Sequence, residues 1–236
     1  EDYHEVLGGL YEAKKRKSTP QWTVPAEVWL MAMKPEYLSK PKEEKKGVGF
    51  EEEKLAAPKF RRMLQRMHLQ LRRTKWVPLL AHKSQTCQLD KKNGKKGTGA
   101  LRLIHMLCPY WRSYYRKKLK KGKEWSPPNY AHGTIKHRRR EGAMIVTRIT
   151  AWKLRKKKKS FNASSYDMSN AYCCSKHEEM EKHINGRVEE EDEEAFRQRR
   201  TLSVATINAS DGEVEALLGS GGMQGCGNSP QEFMMT

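Results

Sequence analysis

The sequence predicts an α+β fold, and the order of its segments carries the prediction. Helical periodicity dominates the N-terminal part. Strand-like runs follow at 101–107 and 161–168, with helical segments beside them. The loop Ala209-Ser210-Asp211-Gly212 then separates two more, 201–207 and 213–218, as a hairpin would. Helices, strand, helix and hairpin in this order do not alternate as a doubly wound sheet requires, and no internal repeat is present.

Taken along the chain, residues 1–20 are polar, carry Lys14-Lys15-Arg16-Lys17 and are expected to form an exposed basic arm. Pro25 suits a first helical turn, with Val28, Trp29 and Ala32 on one apolar face. Residues 38–57, rich in Lys and Glu, read as a linker. From Pro58 to about Arg73, Phe60, Met63, Leu64, Met67 and Leu71 form one stripe opposite Arg61, Arg62, Arg66, Arg72 and Arg73. Asp90–Gly99 is a basic turn punctuated by glycine, and Leu101–Leu107 is apolar enough for a buried strand. A helix is expected over 110–121, with Tyr114, Tyr115 and Leu119 inward, and Pro127-Pro128 follows it as a break. Another is expected over 141–157, with Ala143, Val146, Ile149 and either Trp152 or Ala151 inward, then a strand over 161–168 and a helix over 176–184. The six acids Glu189–Glu194 read as a solvated, flexible insertion, and Pro230–Met235 as a short helix.

Charge narrows the function classes. Forty-seven Lys and Arg against 28 Asp and Glu give a net charge of +19, which favours a polyanion such as a nucleic-acid backbone through counter-ion release. Only 36% of residues are hydrophobic, and no apolar run approaches the ~20 residues of a membrane span, so no membrane partner is expected. Five cysteines form no CxxC pair and no zinc spacing, which fits a reducing, intracellular compartment.

Two segments carry the chemistry. An aspartate closing a strand, as Asp167 would, can present its carboxylate to a divalent ion, although a lone Asp there also serves as a turn or helix cap. The spacing Asp167-x-x-x-Ala171-Tyr172 is more telling. Downstream, Gly222-Met223-Gln224-Gly225-Cys226-Gly227-Asn228-Ser229-Pro230 concentrates glycines that let backbone approach a ligand closely. In this order, behind a basic region, the two resemble the first two palm motifs of reverse transcriptases of the non-LTR retroelement type. Leu101-Arg102-Leu103-Ile104 is similar to that family's Arg-Pro-Ile strand, and His132–Ala143 to its Gly-Phe-x-x-x-Arg-Ser segment. The resemblance spans roughly residues 20–236 and departs from the family at Leu103 and Met223, where Pro is usual, and at Cys173, where Asp is frequent.

The resemblance implies right-hand polymerase fingers and a partial palm, whose antiparallel sheet packs on helices. It divides the chain into the arm 1–20, a fingers-like region 21–158 and a partial palm 159–236. It implies Asp167 as catalytic residue and Mg²⁺ ligand, with a two-metal site in a complete enzyme. Tyr172 would be a steric gate against a ribose 2′-hydroxyl, Gln224 and Gly225 would lie at the incoming nucleotide, and Arg102 would grip its triphosphate. Arg138, Arg139 and Arg140 would hold the template backbone, and His177 would serve structure and not catalysis. The implied partners are an RNA template, a DNA primer and dNTPs. The family's Asp-Asp pair occurs nowhere in the 236 residues, so the chain is expected to be a fragment without polymerase activity of its own. The alternatives are a non-catalytic basic nucleic-acid-binding module and a charged structural or ribosome-associated protein.

Overall fold

The computed structural model describes residues 6, 9–10, 18–33, 49–91, 94, 96–97, 100–122, 126–133, 135, 137–166, 171–209, 211–223, 226 and 228–234. Their order is α1 (Ala26–Met33), α2 (Gly49–Thr74), a 3₁₀ turn at Leu79–Ala81, β1 (Lys83–Asp90), β2 (Leu101–Leu107), α3 (Pro109–Lys121), α4 (Arg140–Lys156), α5 (Ala171–Cys174), α6 (His177–Ile184), α7 (Glu190–Thr201), β3 (Val204–Ala209), β4 (Gly212–Leu217) and α8 (Ser229–Met234). This is a mixed α and β structure with a four-stranded sheet in the order β2-β1-β3-β4. The outer pairs are antiparallel, β3–β4 being the expected hairpin, but β1 and β3 run parallel at the centre, so the sheet is mixed and not the antiparallel one that the resemblance implies.

The main core is helical and centred on α3. Pro109 starts α3 in the first turn, where its missing N–H costs nothing, and the helix then buries Tyr110, Trp111, Tyr114, Tyr115 and Leu119. Around it gather Leu30 of α1, Leu64 and Leu71 of α2, Ile184 of α6, and Ala195 and Phe196 of α7. The rings meet edge to face, Tyr114 with Tyr115 at 5.3 Å and Tyr115 with Phe196 at 5.2 Å, the arrangement their quadrupoles favour. Val6 and Leu10, expected in an exposed arm, are buried in the same cluster, and the Ser113 hydroxyl donates to the Val6 carbonyl at 2.7 Å. Gly122 ends α3 where the Arg187 carbonyl passes so close that a Cβ would overlap it, so only glycine fits.

Several expectations are corrected. The helix expected from Pro58 begins at Gly49, because the stretch Glu51–Ala57, read as linker, is made of good helix formers. Its stripe is partly outward: Leu64 and Leu71 are buried, Phe60 and Met67 pack on the core, and Met63 is exposed. β1 escapes sequence reading because its buried positions, Ser84, Gln85 and Thr86, are polar. Each has a hydrogen-bond partner: Ser84 Oγ lies 3.1 Å and Thr86 Oγ1 3.4 Å from His105 Nδ1, and Gln85 accepts from the Gln21 amide at 3.1 Å. β2 is not the buried strand expected; it lies at the sheet edge with Arg102 and Leu103 exposed. Residues 161–166, expected as a strand, have no regular secondary structure, and Asp167 and Met168 fall outside the described residues. None of α4 is buried, and Val146, Ile149 and Trp152, expected inward, are exposed.

The largest correction concerns the acidic run. Glu190–Glu193 form the first turn of α7, where acidic side chains meet the positive end of the helix dipole. Asp192 is buried: its carboxylate accepts from the Tyr114 hydroxyl at 2.8 Å and pairs with buried Lys118 at 3.0 Å. A solvated insertion is what most acidic runs become, and here one carboxylate finds a buried lysine instead.

His82, at the entry to β1, has no exposed surface, and neither ring nitrogen has a hydrogen-bond partner. Burial, reinforced by the Arg199 charge, pushes its pKa down to about 4. Between the ordinary value of 6.5 and about 4, the unfolded chain therefore binds a proton that the folded chain refuses, and stability falls as pH falls through that window. The loss should reach about 3 kcal/mol at pH 4. Denaturant titrations from pH 7 to 4 should show this slope, and His82→Leu should flatten it, leaving the smaller part due to His105, whose pKa burial also lowers. An unchanged slope in His82→Leu would contradict the assignment.

Candidate functional site

The two segments singled out by the sequence are brought together. After α5 the chain turns into α6, and after β4 it turns through Gly221 and Gly222 toward α8. The Gly222 N–H donates to the Tyr172 carbonyl and the Gly221 N–H to the Ser175 carbonyl, both at 2.7 Å. His177 Nε2 donates to the Gly221 carbonyl at 3.0 Å, the structural role expected of it. Gly221 has φ +77°, a left-handed conformation that a side chain would strain, so the glycine is what permits this three-bond junction.

Tyr172 is half-buried, and its ring meets Phe233 of α8 edge to face at 5.6 Å. The start of α8 is pinned to the same turn, since the Ser229 hydroxyl donates to the Met223 carbonyl at 2.8 Å. Sequence reasoning did not single out Phe233. Its position three residues after Pro230, on a short helix, was the available signal.

Beneath the junction lies a buried polar cluster that the sequence did not reveal. Arg199 of α7 pairs with Glu232 of α8 at 3.2 Å, donates to the Cys226 sulfur, and lies over the Tyr115 ring, 4.8 Å from its centroid. Burial alone lowers the Arg199 pKa, but Cys226, Glu232 and Tyr115 outweigh it and hold the guanidinium above its ordinary value. Burial also raises the Tyr115 pKa, so that phenol stays protonated. This cluster joins α3, α7 and α8 under the glycine turn.

The other expected site residues are distributed as follows. Asp167, Gln224 and Gly225 lie outside the described residues. Arg102 is exposed on β2, the edge strand. The three arginines at the start of α4 divide. Arg138 is tied down by donating to the Pro127, Pro128 and Ala131 carbonyls, while Arg139 and Arg140 are exposed at the start of the helix. Downstream on α4, Arg148, Lys153, Arg155 and Lys156 are exposed too, against Glu141 as its acidic residue. Among the described residues no three His, Cys, Asp or Glu side chains gather as a metal site, and no helix is long and apolar enough to cross a membrane.

Comparison of the chain with protein-family models and with curated proteins finds no match. The functional reading therefore rests on the residues and their geometry.

If His177 holds the turn, His177→Ala should cost about 1 kcal/mol and speed amide exchange at Gly221 and Gly222 about fivefold, with α3 amides unaffected. Hydrogen exchange followed by NMR reads this directly. Unchanged protection at both glycines would contradict the role.

Proposed function

We propose that the chain is the fingers and first part of the palm of a reverse transcriptase of the non-LTR retroelement type. It would bind an RNA template, a DNA primer and dNTP. The observation that carries this reading is the junction of the Tyr172–His177 and Gly221–Met223 segments, far apart in sequence and joined by three hydrogen bonds. A nucleotide site built from an aspartate segment and a glycine-rich segment needs those two stretches adjacent. The net charge of +19 and the exposed Arg139, Arg140 and α4 cations supply attraction for a nucleic-acid backbone.

In this reading Asp167 is one ligand of Mg²⁺, which would neutralise phosphate charge at the reacting centre. Arg102 holds the triphosphate, and Gln224 and Gly225 lie along the sugar and base. Tyr172, whose ring meets that of Phe233, would stand where a ribose 2′-hydroxyl would sit. Bracing matters, because a ring that could swing aside would not exclude an extra oxygen. The 236 residues hold no Asp-Asp pair, so they do not themselves supply the second metal carboxylate that the resemblance implies.

Two measurements test the proposal. With the 236-residue chain, affinity for an RNA–DNA template–primer should fall steeply with salt, and Arg139→Ala and Arg140→Ala should each reduce the slope of log K against log salt by about one. In a longer polypeptide that adds an Asp-Asp segment, primer extension should vanish with Asp167→Ala, and Tyr172→Ala should raise incorporation of ribonucleotides relative to deoxyribonucleotides. Extension by the 236-residue chain alone, or unchanged sugar discrimination in Tyr172→Ala, would overturn it.

A further inference from the structure

α4 ends in a surface that neither the core nor the glycine junction uses. From Gly142 to Tyr166 the chain carries seven Lys and Arg and no Asp or Glu, and all seven cations are exposed. Glu141, in the first turn of the helix, lies beside Arg140 at 3.7 Å, about three turns before Trp152. Lys153, Arg155 and Lys156 sit in the last turn, where the helix dipole favours them. Lys158 and Lys159 lie beyond it, and the dipole gives them no such reason to be basic. The chain reverses there: the Lys159 N–H donates to the Leu154 carbonyl at 3.0 Å and the Lys158 N–H to the Arg155 carbonyl at 2.9 Å. Lys158 takes the left-handed conformation of that reversal, φ +52°, at a position where glycine is usual.

The reversal brings a second aromatic ring back to the end of the helix. Arg155 stands over the Phe161 ring, 5.9 Å from its centroid, and Lys156 over the Trp152 ring at 5.2 Å. Arg155 and Lys156 follow Trp152 by three and four residues, so the three share one side of α4. Trp152 is 59% exposed and Phe161 42%, so the core holds neither ring. Rings and cations thus alternate across one solvent-facing surface.

The charge calls for a polyanion, and the pattern says which kind. A helix that lies on an anionic membrane keeps its cations off the apolar face. Here Ile145, Ile149, Trp152 and Lys156 recur along one stripe, so immersing that face would take the Lys156 charge with it. A nucleic-acid duplex offers phosphates but hides the faces of its bases. An unpaired strand offers both, phosphates for the cations and base faces for the rings.

We infer that the end of α4 and the turn after it bind an unpaired nucleic-acid strand, with bases stacked on Trp152 and Phe161 and phosphates held by the cations between 153 and 159. The inference rests on the reading of the chain as a nucleic-acid binder and names the form of strand that this surface takes. It does not need the polymerase assignment.

The test uses the 236-residue chain and three labelled oligonucleotides of about 12 nucleotides, within the reach of one such surface: oligo-dT, an abasic strand of equal charge, and an RNA–DNA duplex. Trp152→Ala should lower affinity for oligo-dT about tenfold and Phe161→Ala about fivefold, with the salt slope unchanged because no charge is lost. Trp152→Phe should recover most of the loss. The abasic strand and the duplex should bind wild type and variants within about twofold of one another. No residue of α4 is buried, so the variants should keep the wild-type circular dichroism. Equal losses on the abasic strand would overturn the stacking site. So would unchanged oligo-dT binding in both alanine variants, which leaves the wider nucleic-acid reading standing if the duplex still binds. Failure of the wild type to bind any of the three would overturn that reading and the inference with it. Capture of the wild type by phosphatidylserine vesicles, lost in Trp152→Ala while oligo-dT binding is not, would overturn the inference in favour of a membrane surface.

Discussion

Asp192 is buried with both carboxylate oxygens engaged, one by the Tyr114 hydroxyl and the other by the Lys118 ammonium. Two opposite charges taken out of water are tolerated only when their geometry and hydrogen bonds offset the lost solvation. Here they fix α7 against α3 in one rotation and one register. The remaining inward side chains of α7 follow from that placement. Gln198 accepts from the Val77 amide at 3.0 Å and donates to the Lys75 carbonyl at 2.7 Å, clamping the turn that leads toward β1. Arg199, one residue on, reaches Glu232 and Cys226, and so fixes the approach to α8. One helix thus sets the helical core, the entry to the sheet and the floor of the glycine turn.

The turn and its partner segment are held from two sides. From the N-terminal side, the Tyr172 and Ser175 carbonyls and the His177 ring take up the polar groups of Gly221 and Gly222. From below, Arg199 and Glu232 anchor α8, whose Phe233 braces Tyr172. Were the turn a nucleotide site, as proposed, its aromatic wall and glycine backbone would need to be fixed relative to each other, because small displacements cost binding geometry. α4 is different. It carries basic side chains, and none of its residues is buried.

How much of this was legible in the sequence depended on which force dominated each segment. α3 was readable because Tyr114, Tyr115 and Leu119 recur at helical spacing after a proline, and apolar burial decides such a segment. The β3–β4 hairpin was readable from its glycine-containing loop. β1 was not, because Ser84, Gln85 and Thr86 are buried through hydrogen bonds and not hydrophobicity. The acidic run misled for the same reason: a lysine distant in sequence, Lys118, decides the fate of Asp192, and no local pattern announces such a pair. α4 erred in the opposite direction, its apolar periodicity being real while Val146, Ile149 and Trp152 remain uncovered. At the site, both segments were singled out by their motifs, whereas their hydrogen-bonded junction and the arginine cluster beneath it left no short-range signature.

If the Lys118–Asp192 pair sets the frame, its removal should loosen parts of the molecule that it does not touch. The direct measurement is a double-mutant cycle of Asp192→Ala and Lys118→Met, read by denaturant unfolding and by amide exchange at Gly221 and Gly222. Asp192→Ala takes the nearest carboxylate from a buried ammonium, which keeps Glu189 at 3.8 Å, and should cost about 3 kcal/mol, much of it recovered when Lys118→Met is added. Protection at the two glycines should fall with the single variant and return with the double. A cost below about 1 kcal/mol, or glycine amides indifferent to the pair, would contradict the account.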